Sequence, residues 1–132
     1  MSDTYLTLLA AVIARLKADG TITGKVSDRI YSDVVDNPTF PFIRVEIQSQ
    51  DYSVKDTAGM EHTIQFSVFS RKVSPDEAGQ IRARIYDLFN RQENALSAIP
   101  ISNILFNGVS LIFKEADGKT WNSIVQFRAV AL

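Results

Sequence analysis

The single histidine, His62, directly follows Glu61, and a histidine beside a carboxylate is the raw material of general bases and metal sites. A metal needs further ligands at short spacing, and the sequence holds no second histidine and no cysteine to share one. His62 therefore reads as a strand residue at a sheet margin. Two carboxylate pairs, Asp33/Asp36 and Asp76/Glu77, could be imagined as acid and base. The second lies just after Ser74-Pro75, where negative charge is stabilised by a helix N-terminus. The first lies among loop-forming residues, where solvated carboxylates are the default. No Gly-x-Ser-x-Gly turn, phosphate-cradling loop or dinucleotide fingerprint occurs. Arg82, Arg84 and Arg91 could grip phosphate, but Asp87 and Glu93 intersperse them, so they read as a solvated helix face. Trp121 could be a ligand platform, yet its alternation with Val125 and Phe127 places it in the core or at the core's rim. These residues predict no catalytic, cofactor-binding or metal site, and a protein that is not an enzyme.

The elements that position these residues follow from periodicity. Tyr5, Leu9, Val12 and Leu16 recur at helical spacing, with Leu6 and Ile13 beside them. They predict a helix over 3–19, capped by Ser2 or Asp3 and ended by Gly20. Thr21 to Pro41 reads as a long connection with one short extended segment at Ile30-Tyr31. Ile43, Val45 and Ile47 alternate with polar residues, as do Ile64, Phe66 and Val68, which predicts two strands joined as a hairpin with a tip over 50–59. Ser74-Pro75-Asp76-Glu77 has the form of a capping box and opens a helix reaching about Arg91, with Ala78, Ile81, Ile85 and Leu88 inward. Leu105, Val109, Leu111 and Phe113, then Trp121, Val125 and Phe127, alternate on either side of Asp117-Gly118. That dipeptide predicts a primed turn between two paired strands, with Trp121 on the buried face.

The order is α-β-β-α-β-β. It predicts an α+β two-layer sandwich in which a mainly antiparallel four-stranded sheet carries two helices on one face, as one domain over 1–132. Its 132 residues are 45% hydrophobic and 22% charged, too apolar for a disordered chain. Fourteen basic residues against fifteen acidic ones leave a net charge of -1, so no overall field draws the chain to nucleic acid or anionic lipid. Asp3 before the first apolar stretch and Arg15 and Lys17 after it reverse the charge order of a signal peptide. No run approaches the roughly 20 apolar residues of a membrane span. The expectation is a soluble protein with no membrane partner.

Several short segments recur in a recognisable order: Arg15-Leu16-Lys17-Ala18-Asp19, Arg29-Ile30-Tyr31, Phe40-Pro41-Phe42-Ile43, Glu61-His62-Thr63, Phe69-Ser70-Arg71, Asp117-Gly118-Lys119-Thr120-Trp121 and Phe127-Arg128-Ala129. With that order and spacing the whole chain resembles the tail-completion, or tail terminator, proteins of long-tailed bacteriophages, prophages and gene-transfer particles. It departs at Ile47-Gln48, where that family often places a small residue.

The resemblance implies a structural protein of the virion, made in the bacterial cytoplasm, that forms a homo-oligomeric ring of six copies at the head-proximal end of the tail tube. Such a ring ends tube growth and presents the surface for head joining. Its partners are itself, the tail-tube protein and a head-side connector or neck protein, and DNA passes through without sequence-specific binding. The family has no catalytic residues and no cofactor. The alternatives are another neck or tube component, or a small ligand-binding or enzymatic domain using a cleft between Trp121, His62 and the loop after Thr21. Partner contacts are expected at the long hairpin tip, Asp51, Tyr52, Ser53, Val54, Lys55 and Asp56, because hairpin loops of that length are usually engaged with something. A second expected contact is the outer face of the last strand, Ile124, Gln126 and Arg128, with Val130 beyond; the alternative is that its apolar residues lie under the second helix or the long loop.

Overall fold

A computed structural model describes residues 4–52, 59–96 and 101–131. The elements in chain order are helices α1 (Tyr5–Ala18) and α2 (Gly20–Val26), strands β1 (Ile30–Tyr31), β2 (Phe42–Asp51) and β3 (Met60–Ser70), helix α3 (Asp76–Phe89), a short 3-10 turn (Glu93–Leu96), and strands β4 (Ile101–Lys114) and β5 (Trp121–Ala131). The strands form one mixed five-stranded sheet in the order β1-β2-β3-β5-β4. Only β1 and β2 are parallel. The expected four strands and two helices thus become five and three, although the α+β class and the single helical layer hold.

Alternation fixes which way each strand faces. Ile43, Val45 and Ile47 of β2 lie opposite Val68, Phe66 and Ile64 of β3, which in turn lie opposite Ser123, Val125 and Phe127 of β5. All nine are buried on the helical side. Leu8, Val12 and Leu16 of α1, and Ala78, Ile81, Ile85, Leu88 and Phe89 of α3, close that side. Phe66 packs on Phe89 at 4.8 Å and meets Phe127 edge-on at 5.8 Å. Such ring pairs add to the burial of large apolar surface.

Helix α2 falls where the sequence predicts a connection. Asp19 starts it by accepting the Ile22 N–H at 3.0 Å, so Gly20 opens a second helix instead of closing the first. Ile22 and Val26, one turn apart, supply its buried stripe. The other capping expectations divide. Ser2 and Asp3 lie outside the described residues. Ser74 Oγ accepts only a 3.4 Å bond from Asp76 N–H, and Glu77 Oε1 accepts from the Ser70 hydroxyl at 2.8 Å in place of closing a capping box. The Ser70 bond ties the start of α3 to the end of β3.

The β4–β5 connection is longer than the primed turn predicted. Gly118, at φ 70°, is the third of four loop residues, 116–119, and Glu115 N–H donates to the Thr120 carbonyl at 2.7 Å across them. Asp117 organises the loop by accepting the N–H groups of Lys119 and Thr120 and the Thr120 hydroxyl. Those bonds hold its carboxyl down at about 2. Within β4 the inward residues are Ile104 and Phe106, opposite Ala129 and Phe127. Leu111 and Phe113, predicted to share the buried face with Trp121, lie opposite Ile124 and Asn122 on the other face, and both are exposed. Trp121 is half-buried against the core, with the Lys114 ammonium 5.0 Å from its ring.

Two polar links hold the helical layer in place. His62, fully buried on the helical side of β3, bonds Thr4 Oγ1 through Nε2 at 2.7 Å and Ser49 Oγ through Nδ1 at 2.6 Å. It is therefore an interior clamp on the start of α1 and not a residue of the sheet margin. Arg84, expected in water, instead grips Asp19 with both Nε and Nη2, the latter at 2.7 Å, and so joins α3 to the cap of α2. Chiefly through that bond, the Asp19 carboxyl sits below its ordinary value. A carboxylate depressed in the folded state contributes stability above its unfolded pKa, and the contribution fades as pH falls through the folded one. Asp19→Asn keeps an acceptor for Ile22 but loses the ion pair, so it is expected to cost about 1 kcal/mol at pH 7, Arg84 being partly solvated. Urea titrations at pH 7 and pH 3 should show that difference shrinking at the lower pH.

Candidate assembly surface

No described helix lies on the second face of the sheet, and of the residues predicted for partner contact Ile124, Gln126 and Arg128 lie there. Alternation places Arg44, Glu46 and Gln48 of β2, Thr63, Gln65 and Ser67 of β3, and Ile124, Gln126 and Arg128 of β5 on this side. Its polar groups pair with one another. Gln126 Nε2 donates to Gln65 Oε1 at 2.6 Å, while Gln126 Oε1 accepts from Asn107 Nδ2 at 3.0 Å. Arg44 pairs with Glu46 at 2.9 Å, and Arg128 pairs with Glu61 at 3.0 Å. Side chains bonded across three strands form a patterned, pre-ordered surface with little rotamer entropy left to lose on contact.

The two predicted contact regions turn out to adjoin. β2 and β3 run further than their sequence alternation suggests, to an Asp51–Met60 pair, and Tyr52 N–H then donates to the Gly59 carbonyl at 2.9 Å. The Tyr52 ring comes under the Arg128 guanidinium at 5.3 Å. Glu61 first, and Tyr52 after it, hold the Arg128 pKa above the ordinary arginine value. Arg128 thus connects the base of the hairpin tip to the open face. Ser53, Val54, Lys55 and Asp56 lie outside the described residues. Ile124, between Ser67 and Leu111, is half-buried, and Val130 is 3% exposed.

The far end of the same face carries an aromatic group that residue spacing did not single out. Phe42 stacks on Phe69 at 4.7 Å, and Phe40 and Tyr31 lean on Phe42 at 5.2 and 5.9 Å. Arg71 lies 4.2 Å over Phe40, and Arg44 lies 5.6 Å over Phe69. Phe40, Phe42 and Phe69, with Glu115, Ala116, Asp117 and Thr120, line a shallow cleft of about 310 Å³. The Phe40-Pro41-Phe42 run was the available sign. What it lacked was the cross-strand partner Phe69, visible only once register is known.

The alternative cleft between Trp121 and His62 does not exist. His62 lies opposite Ala129, and Trp121 lies opposite Ser70, eight residues along β3, a separation of roughly 26 Å. Of the connection from Thr21 to Pro41, only the residues up to Val26 belong to helix α2.

With this geometry in hand, the comparisons decide the family. The family model described as "Tail completion protein gp17" matches residues 10–132. The chain belongs to that family. It is a structural protein of a bacteriophage-type tail. Among solved structures, a chain titled "Virion of native gene transfer agent (GTA) particle" shares the fold at a TM-score of 0.86 and 21% identity, covering 99% of this chain and 98% of that one. No curated protein matches.

For this tail completion protein, Arg128→Ala removes a tie between hairpin base and open face without touching the core. Stability is expected to fall by under about 1 kcal/mol, as for exposed pairs. Amide hydrogen exchange at Tyr52 should accelerate relative to the β3 amides, whose ladder does not depend on Arg128.

Proposed function

We propose that the protein assembles as a closed ring, of six copies, at the head-proximal end of the tail tube, where it stops tube growth and offers the surface that joins the head. The observation that carries this is the one-sided sandwich: helices bury one face, and the other is a rigid array of paired polar groups and stacked rings at two strand edges of different kinds. A ring needs a heterologous contact, in which one surface of a copy meets a different surface of the next. Family membership and the likeness to a chain from a gene-transfer-agent virion support the same role.

The partners are further copies of the chain, the tail-tube protein and a head-side connector. The candidate contacts for them are the tip residues Asp51, Tyr52, Ser53, Val54, Lys55 and Asp56 and the Ile124, Gln126 and Arg128 row, with Tyr52 and Arg128 adjoining. DNA passes through the ring without sequence recognition. The near-neutral net charge of -1 and the pairing of Arg44 and Arg128 with carboxylates leave little unneutralised positive charge on the open face to hold phosphates, which suits a lumen through which DNA slides.

Native mass measured over a concentration series, alone and with purified tail-tube protein, with electron microscopy of the large species, should reveal closed rings of a fixed copy number. Open tubes of indefinite length would assign the chain to the tube itself. A monomer under both conditions would remove the ring. Replacing residues 53–58 by a short Gly-Ser linker should leave the fold unchanged, because the β2–β3 ladder closes at Tyr52 and Gly59, and should abolish completion of tails. Unchanged yields of joined particles would take the tip out of the contact surface.

A further inference from the structure

The two halves of the edge strand β4 are treated differently. Arg91 N–H donates to the Ile104 carbonyl at 2.8 Å, Glu93 Oε1 accepts the Ile104 N–H at 3.3 Å, and Asn90 Oδ1 accepts the Phe106 N–H at 3.0 Å. The segment after α3 thereby covers the outward backbone groups of the first half. Gly108, at φ 92°, and the register shift between Phe106 and Ser110 then bend the strand away. Past the bulge, the bond from Glu115 N–H to the Thr120 carbonyl sets the alternation: odd-numbered residues bond β5, and Ser110, Ile112 and Lys114 direct their backbone groups outward. Among the described residues nothing bonds the outward groups of Ile112. Around it Leu111, Ile112 and Phe113 are 53%, 38% and 40% exposed. Three consecutive apolar side chains on an open strand edge form a template for pairing.

The sheet's other edge carries the complement. β1 is two residues long, and past a bend at Ser32 and Asp33 the chain runs on through Val34, Val35 and Asp36, with Asp33 to Asp36 all exposed and Val34 at 73%. An apolar pair between two carboxylates thus stands at one edge, and an apolar run ending in the Lys114 ammonium stands at the other. Strand directions also agree. β1 runs with β2, and the β2–β3, β3–β5 and β5–β4 pairs are each antiparallel, so β4 and β1 run in opposite directions. A second copy brought beside β4 with its faces in the same sense offers its β1 edge antiparallel, and the two ends cannot pair with themselves in that arrangement.

We propose that the Leu111–Lys114 edge of one copy docks on the Asp33–Asp36 segment of the next. The antiparallel alignment sets Ile112 opposite Val35, Phe113 opposite Val34, and Lys114 opposite Asp33. The contact is heterologous and specifies how the ring proposed above, on which it rests, is joined from copy to copy.

The absence of cysteine makes the test clean. In the full chain, Ile112→Cys with Val35→Cys should give, on oxidation, a covalent ladder that stops at the ring's copy number. Mixing the two single variants should give covalent dimers and nothing larger. Independently, Lys114→Glu or Asp33→Lys alone should raise the half-assembly concentration about tenfold, since like charges face each other, and Lys114→Glu with Asp33→Lys in one chain should restore it. Rings seen by native mass without cross-linking and without sensitivity to either charge reversal overturn the edge contact and leave the ring standing. A ladder without an upper limit keeps the edge contact and overturns the closed ring. A chain that stays monomeric alone and with finished tail tubes, with no cross-link, overturns both.

Discussion

The rings of Phe66, Phe89 and Phe127 meet where α3 crosses the middle of the sheet, and that contact decides which way the central strands face. A strand has a side-chain period of two, so burying Phe66 commits Ile64, Val68, His62 and Ser70 to the same side and sends Gln65, Ser67 and Phe69 to the other. β2 and β5 inherit the choice through their registers with β3. Once the described helices lie on one side, no described helix covers the opposite face. The glutamine and ion-pair rows of that face are thus a consequence of core packing, and their positions are as fixed as the core itself.

What the sequence made legible is what periodicity governs. The α3 stripe, the alternations of β2, β3 and β5 and the short extended Ile30-Tyr31 segment return in the fold, while the α1 stripe returns shifted, with Leu8 buried beside Val12 and Leu16 and the predicted Leu6 73% exposed. The failures have local causes. Helix α2 is written Gly-Thr-Ile-Thr-Gly-Lys-Val, with two glycines and β-branched residues that disfavour helix, and it forms because Asp19 caps it and Ile22 and Val26 fill the core. β4 misleads because its two halves are separated by a bulge at Gly108, and because apolar side chains occupy both its faces, so alternation carries no direction there. His62 was misplaced for a different reason: its solvent-free setting depends on Thr4 and Ser49, 58 and 13 residues away, which no short window contains.

The candidate surface was legible as two patches and not as one. Tyr52 and Arg128 are 76 positions apart in the chain, and only the β3–β5 pairing brings the hairpin base beside the last strand. The aromatic cleft was hidden in the same way, since Phe42 and Phe69 look like ordinary strand residues until register sets them face to face. Residue types foretell chemistry best when a site is contiguous. A surface made from rows across neighbouring strands is spelled out in the register, which sequence spacing constrains weakly.

The edges carry the remaining consequence of one-sided burial. An open sheet has two, and an unblocked edge as long as β4 would invite indefinite growth. Here the α3 terminus covers the first half, and the bulge breaks the line between halves, so a contact at Leu111 to Lys114 cannot extend along the whole strand. A contact that short leaves the angle between copies to a few side chains and to the natural twist between neighbouring strands, roughly −20 to −25° per step. Repeated between identical copies, a fixed angle of that kind gives a ring where the rotation closes and an open filament where it does not, so closure depends on those few side chains.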